Sequence, residues 1–184
     1  SLLLDLEWAV SRLCHEESYA TFDSPSHPSR IATREFLRSC FPVDSVVLDV
    51  GCGSGDLLID LGSLSRTVIG IDHSATAVEE ASSRLAEARL DNVTVRVGDA
   101  VEFLTTIDRK VDVVICSHIL EHLDDPAGLV RSLARVSRFI YVEVPDFEAV
   151  ASNAFREVMG RSLMYSDLDH VREFDRGEMG ELLS

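Results

Sequence analysis

An α/β fold built on a doubly wound, mostly parallel sheet is what this 184-residue sequence predicts, on three observations. From about residue 45 onward, short β-branched runs alternate with helical patterns, and that alternation marks a parallel sheet wrapped by helices. Several of the runs are apolar on nearly every residue, as strands covered on both faces must be. The length fits one domain that buries roughly two thirds of its unfolded surface, so residues 1–184 form a single unit without disulfide staples.

Residues 1–44 come first, as helical patterns flanking the polar, turn-rich piece at 21–29 (TFDSPSHPS), which reads as a lid or a plain lead-in. The core occupies 45–144, with strands expected at 45–50 (SVVLDV), 67–72 (TVIGID), 93–97 (VTVRV), 111–116 (VDVVIC) and 138–144 (RFIYVEV). Between them, the helix at 74–89 carries Val78, Ala81, Leu85 and Ala88 on one stripe, with Ser74 as its cap. A second crossover helix at 124–137 starts with an acidic cap and Pro126, then aligns Leu129, Leu133 and Val136. Right-handed crossovers place these two helices on opposite faces of the sheet. Residues 145–174 form a mixed insertion, and 175–184 a final helix whose first residues, DRGE, have the form of a capping box.

Hydrophobic residues at 46% and charged residues at 27% exclude a disordered chain. A formal charge of −15 repels phosphate backbones and anionic bilayers, so neither nucleic acid nor membrane is an expected partner. Arginines gather at 30, 34 and 38 and at 131, 135 and 138, near helical spacing, and read as solvated helix faces. Cys14, Cys40, Cys52 and Cys116 stand far apart with no CxxC pair, which fits a reducing, cytoplasmic setting. Asp5 and Glu7 interrupt the opening apolar run, which is wrong for a signal peptide or membrane span.

The strongest local signal is VLDVGCGSGDLL at 47–58, a buried strand passing through three alternate glycines into a helix. Glycine is needed where the backbone turns sharply and where a ligand touches the main chain. A dinucleotide fingerprint wants GxGxxG; here Gly51 and Gly53 fit, the sixth position is Asp56, and the third glycine comes one residue early at Gly55. The lysine of a phosphate loop is missing. Asp72, at the tip of the second strand, is placed to accept from both ribose hydroxyls, and Asp99, at the tip of the third, from an adenine amine. Together they suggest an adenosine carrying something small.

The run DVGCGSG at 49–55, Asp72 after Gly70 and Ile71, Gly98-Asp99-Ala100 and CSHILEHLDDP at 116–126 resemble the successive motifs of class I S-adenosylmethionine-dependent methyltransferases, whose fold is Rossmann-like. The resemblance covers roughly residues 30–183. It implies that Gly51, Gly53 and Gly55 border the methionine part of S-adenosylmethionine, that Asp72 holds the ribose, that Asp99 and Ala100 meet the adenine, and that Asp49, Cys52 and His73 belong to the same cofactor site. Ser117 would face the cofactor near its sulfonium. Within the class, the segment SHPSRIATRE at 26–35 is similar to that of small-molecule O-methyltransferases of the ubiquinone-pathway type, whose arginine pairs with the cofactor carboxylate; Arg30 matches. The family also adds two antiparallel strands after a final helix, and these are not found before Ser184.

The stretch His118-Ile119-Leu120-Glu121-His122 has the form of a zinc-peptidase signature, with helical spacing placing both imidazoles and the glutamate on one face. Its position directly after a buried strand, the glycine loop, and the new helix beginning at Asp124 argue against a peptidase. The expected role is at the rim of the methyl-donor pocket, with His122, His118 and then His170 as bases for the acceptor proton. No metal is the preferred reading. The alternative rests on the ExxEH ions of ubiquinone-type and small-RNA methyltransferases, which this stretch resembles with His118 in place of the first glutamate; Glu121, His122 and His170 would complete the set. Tyr19, Phe22, Phe155, Met159, Met164 and Tyr165 are candidates for an acceptor pocket or for plain packing.

The expected activity is methyl transfer to a small-molecule acceptor, on oxygen. A cofactor-binding module without chemistry and a nicotinamide-dependent oxidoreductase stand as alternatives, and the oligomeric state stays open, a homodimer among the choices.

Overall fold

The computed structural model describes residues 2–21, 26–42, 44–108, 110–147 and 151–184. Two helices, α1 (Leu2–Thr21) and α2 (Pro28–Cys40), lead into alternating strands and helices: β1 (Val46–Val50), α3 (Asp56–Gly62), β2 (Thr67–Asp72), α4 (Ala75–Glu87), β3 (Val93–Val97), α5 (Ala100–Thr105), β4 (Val111–Ser117), α6 (Pro126–Val136) and β5 (Ser137–Glu143). Then follow α7 (Ala151–Val158) and α8 (Arg176–Leu182). Of the turn-rich piece read as a lid, residues 22–25 lie outside the described residues.

All five strands are parallel, in the order β3-β2-β1-β4-β5. The order reverses at β1 and β4, whose register pairs Val50 with Cys116, so Gly51 and Ser117 leave the sheet side by side. In an open α/β sheet such a reversal opens a crevice at the carboxyl ends of the strands, where ligands bind. The strands are the five expected runs, displaced by one residue at most at their ends.

Each face of the sheet carries its own apolar cluster. On one side Leu37 of α2, Leu57, Leu58 and Leu61 of α3 and Leu85 of α4 pack with Val47, Val68 and Val113. On the other, Leu104 of α5 and Leu129, Leu133 and Val136 of α6 pack with Leu48, Val50 and Val114. Thus α4 and α6 cover opposite faces, as the crossover rule requires. The α4 stripe is shorter than expected: Val78, Ala81 and Leu85 are buried, but Ala88 ends the helix in solvent. Caps hold the helix starts: Ser74 accepts from Ala77 N–H, Asp125 from Gly128 N–H, and Asp175 with Glu178 closes a reciprocal box at α8. Such caps contribute about 1 kcal/mol each.

Two arginine groupings are not simple helix faces. Arg34 pairs with Asp60 at 3.1 Å and ties α2 to α3, while Arg138 lies on β5 and pairs with Asp112 at 3.2 Å. The insertion is fastened at both ends by a bridge between Asp146 and Phe174, with Phe147 N–H donating to the Phe174 carbonyl at 3.2 Å. Among the described residues no helix is long and apolar enough to cross a membrane.

Candidate functional site

The glycine loop is shaped by its backbone. Gly51, Gly53 and Gly55 all have positive φ, at 72°, 53° and 83°, and the N–H groups of Gly51 and Cys52 both donate to the Ile71 carbonyl, at 2.8 and 3.1 Å. A Cβ on Gly51 would stand 2.1 Å from Ile119 Cδ1, whereas one on Gly53 would meet nothing within 4 Å. Gly51 is therefore required by close approach and Gly53 opens toward the cleft. The third glycine has a different duty: a Cβ on Gly55 would press on Ala81 Cβ at 2.9 Å, so Gly55 lets α3 pack on α4. Arg84 secures the far side of the loop, donating to the Ser54 carbonyl at 3.0 Å and pairing with Asp56.

Two cavities meet at Gly51. One, of about 280 Å³, is lined by Arg30, Asp49, Cys52, Gly53, Ser117 and His118. The other, of about 180 Å³, is lined by Asp72, His73, Gly98, Asp99, Ala100 and Ile119. Every residue expected to hold the cofactor lines one of these two spaces, Gly55 excepted.

Charge within the cradle is specific to position. Asp49 is only 3% exposed, and burial, reinforced by Asp72 and opposed by Arg30, pushes its carboxyl up to about 7. Asp72 holds the loop in shape: Oδ2 accepts from Gly53 N–H at 2.9 Å and Oδ1 from Ser74 N–H at 2.8 Å. An ionised carboxylate has about four lone-pair sites, so acceptor capacity is left for hydroxyl donors. His73 stands at the rim with its side chain 93% exposed. Asp99 caps α5 through Oδ1, which accepts from Glu102 N–H at 2.8 Å, and the residue lines the 180 Å³ cavity. The Cys52 thiol is raised to about 12, chiefly by burial, and is an inert neutral wall.

One residue that sequence reasoning passed over organises the crevice. Glu143, the last residue of β5, accepts from Thr33 Oγ1 at 2.9 Å, Ser117 Oγ at 2.9 Å and Tyr141 OH at 3.3 Å, while its carbonyl accepts from His118 N–H at 2.8 Å. Thr33 lies one turn after Arg30 on α2, so this carboxylate ties the arginine-bearing helix to the ends of β4 and β5. The signal was present: an acidic residue ending an apolar strand, the same feature that marked Asp72.

Beyond β4 the chain does not begin an α-helix. His118 takes a left-handed conformation, φ 55°, and only Leu120–His122 form a short 3₁₀ turn, which corrects the expectation of one helical face. The reversal drives Glu121 into the interior, where its side chain is 0% exposed. There Oε1 meets His118 Nδ1 at 3.2 Å, and Oε2 has no hydrogen-bond partner among the described residues. Bonding to Glu121 holds the His118 imidazolium above the usual histidine range, against the opposing effect of burial.

The insertion closes over this turn. Val171 and Arg172 N–H groups donate to the Glu121 carbonyl at 2.9 and 3.3 Å, and the His122 and His170 rings meet edge to face, centroids 4.9 Å apart. His122 Nδ1 faces the Asp169 carbonyl at 3.3 Å and His170 Nδ1 the Glu173 carboxylate at 2.9 Å. With Nδ1–H donating, each ring keeps Nε2 as a lone pair. Glu121, His122 and His170 each offer one ligand atom within 4.8 Å of the others. His118 stands outside that trio, on the wall of the 280 Å³ cavity. The four residues grouped by sequence thus divide between two places.

Of the acceptor-pocket candidates, Tyr165 lines a separate large cavity, Met164 is half-buried, and Phe155 and Met159 are exposed at 64% and 53%. Phe22 and the Tyr19 side chain lie outside the described residues.

Residues 43–169 match a family profile described as a methyltransferase domain. The ubiquinone biosynthesis O-methyltransferase of Albidiferax ferrireducens is 33% identical over 111 residues, 60% of this chain and 44% of that protein. The uncharacterized methyltransferase YcgJ of Bacillus subtilis is 31% identical over 142 residues, 75% of this chain and 54% of its own length. The chain spans about half the length of these curated relatives. The crystal structure of YcgJ superposes with a TM-score of 0.66 at 26% identity, covering 83% of this chain and 66% of that one. Magnesium protoporphyrin IX methyltransferase from Synechocystis PCC 6803, solved with bound SAH, shares the fold, with a TM-score of 0.65 at 20% identity over 83% of this chain and 68% of that one.

Proposed function

The chain belongs to the methyltransferase-domain family, and from that premise we propose that it transfers a methyl group from S-adenosylmethionine to an oxygen of a small-molecule acceptor. The observation that carries this reading is the pair of cavities meeting at Gly51, one offering a guanidinium and a buried carboxylate, the other two carboxylates at strand tips. Arg30 and Asp49 match the carboxylate and ammonium of the methionine end, Asp72 the ribose hydroxyls, and Asp99 with Ala100 the adenine edge. Gly53, where a side chain would enter open space, fits a loop that a ligand must approach closely.

When bound, the cofactor supplies an electrophilic methyl group on a sulfonium. The protein's part is to align, to exclude water and to take the acceptor proton. His118 is best placed for the last task, because it lines the methionine-side cavity while Glu121 orients its ring. Ser117, held by Glu143, stands beside it. Oxygen as the acceptor atom is supported by the 33% identity to a ubiquinone-pathway O-methyltransferase and by an imidazole suited to a hydroxyl proton.

A second reading is favoured by the trio within 4.8 Å and by the orphaned, fully buried Glu121 Oε2. Glu121, His122 and His170 would hold a divalent ion, whose chemistry there is to polarise an acceptor hydroxyl. Metal analysis of the purified protein decides it: about one zinc, manganese or iron per chain, lost in His170→Ala, is the expected result, and no metal above background sinks this reading.

Calorimetry with S-adenosylhomocysteine tests the principal reading. Tight binding, weakened at least about thirtyfold in Asp72→Ala at unchanged helix content, is expected, since that carboxylate serves both loop and ligand. Equal affinity in both proteins rejects the site. Protection of the protein by NAD and not by S-adenosylhomocysteine in thermal melts favours an oxidoreductase instead.

A further inference from the structure

In S-adenosylmethionine the charged sulfur is the atom that joins the methionine part to the adenosine part. In the protein, the cavity lined by Arg30 and Asp49 meets the cavity lined by Asp72 and Asp99 at Gly51, which lines both. On the donor reading above, the sulfonium therefore belongs beside that glycine. Val50 pairs with Cys116 across β1 and β4, so the next residues, Gly51 and Ser117, stand side by side, and Ser117 lines the methionine-side cavity.

A serine hydroxyl has one proton, and that of Ser117 goes to Glu143: Oγ donates to Oε2 at 2.9 Å. What remains on the oxygen is lone pairs, with no proton to offer a ligand. Glu143 is held in this arrangement from both sides, since Thr33 Oγ1 donates to Oε1 at 2.9 Å and Tyr141 OH to Oε2 at 3.3 Å. The carboxylate lines neither cavity and stands half-buried behind Ser117. Its charge still reaches the wall: His118, on the same cavity, is held above the usual histidine range first by its bond to Glu121, against burial, and next by the charge of Glu143.

We propose that Glu143 is a positioning residue that reads the charge of the methyl donor: it fixes the Ser117 hydroxyl so that only lone pairs meet the sulfonium methyl, and the pair distinguishes the cationic donor from the neutral product. A methyl on a sulfonium is electron-poor, so its C–H groups are drawn to lone pairs and would be repelled by a hydroxyl proton. The carboxylate behind adds an attraction that a neutral thioether does not feel. Standing one hydroxyl back, it lends its field without touching the methyl and so does not accept the methyl itself. Transfer removes the charge that the pair recognises, and the hold on the cofactor relaxes once the chemistry is done. The inference rests on the donor reading and assigns its charge selectivity to two residues.

Calorimetry of the full chain with S-adenosylmethionine and with S-adenosylhomocysteine, in the absence of acceptor, tests it. The quantity read is the ratio of the two affinities, because a change that merely loosens the cradle weakens both ligands alike. Glu143→Gln, nearly the same shape without the charge, should weaken S-adenosylmethionine about tenfold more than S-adenosylhomocysteine, and Ser117→Ala about threefold more. Thr33→Val removes a tether of α2 and leaves the Ser117 bond in place, so it should weaken both ligands equally, within about twofold. A ratio unmoved in Glu143→Gln or in Ser117→Ala overturns the proposal, and so does a shift in Thr33→Val as large as that in Glu143→Gln. Should Glu143→Gln fail to fold, Ser117→Ala decides. A wild type that binds neither ligand rejects the donor reading and this inference with it, whereas binding of both with an unmoved ratio rejects this inference alone.

Discussion

The glycine loop and the histidine turn leave neighbouring strands at equivalent heights, β1 at Val50 and β4 at Ser117, yet they are built by opposite means. Within five residues the loop sets three glycines at positive φ and hangs two N–H groups on one carbonyl. In the turn, a histidine accepts the left-handed conformation, and partners come from Glu143 and from residues 169–173. A backbone-built site is local and rigid. A side-chain-built site is assembled from distant parts and depends on all of them.

The comparison breaks most completely at Gly51. Gly51→Ala places a methyl against Ile119 Cδ1 and an L-residue at φ 72°. It should cost about 2–4 kcal/mol of stability and abolish S-adenosylhomocysteine binding, measured by urea unfolding and calorimetry. Gly53→Ala, at a position with open space, should cost only about 1–2 kcal/mol, from its backbone angle. Equal losses in the two variants would mean that the loop is not held by its contact with the turn.

A smaller effect sharpens the electrostatic side. Asp49 titrates near 7 in the fold and from 3.8 in the unfolded chain, so between those values the native state holds a proton that the unfolded state has lost. Stability conferred by the neutral, buried form is complete below about pH 4 and falls as pH rises through 7, on the order of 1.4 kcal/mol per pH unit within the window. Urea unfolding between pH 5 and 8 should show this slope in the wild type relative to Asp49→Asn, in which it vanishes; parallel profiles would remove Asp49 as its source. By the same sign, a ligand ammonium favours the ionised carboxylate, so S-adenosylhomocysteine binding below pH 7 should release a proton, visible as buffer-dependent heat.

The smallest effect separates position from chemistry in the turn. His118→Gly relieves the left-handed strain, about 1 kcal/mol, but strips the buried Glu121 carboxylate of its histidine partner, at about 1–3 kcal/mol, so stability should fall by about 0–2 kcal/mol while methyl transfer drops. Undiminished turnover would take the proton-accepting role away from His118.

Legibility followed the same division. The central strands β1, β2 and β4 were readable because both faces are covered, which turns burial into an unbroken apolar run, and the edge strands β3 and β5 were readable from β-branched and aromatic residues. Ser74, Asp125 and the 175–178 box were readable because a cap and its partner lie within three residues. Most residues lining the two cavities stand at the tips of recognisable strands, so their nearness to one another was legible, whereas Arg30, on α2, came from the resemblance alone. Glu143 carried the signal of an acidic strand end, but its partners were hidden, since nothing in RFIYVEV says that Thr33, more than a hundred residues earlier, will donate to it. The 3₁₀ turn was misjudged because helical spacing was counted from His118, while a left-handed backbone there resets the phase. The links of His170 with His122 and Glu173 arise from how the insertion folds back, a tertiary event that periodicity does not encode.

Ile119 occupies the space where a Gly51 side chain would stand, and it also forms part of the wall of the 180 Å³ cavity. For anyone splicing this chain with a relative, the crossover point cannot fall between the two: a donor half carrying glycine and an acceptor half carrying its own residue at 119 must be inherited as a matched pair. The space beside the Gly51 α-carbon, already taken by Ile119, is a joint that recombination has to respect.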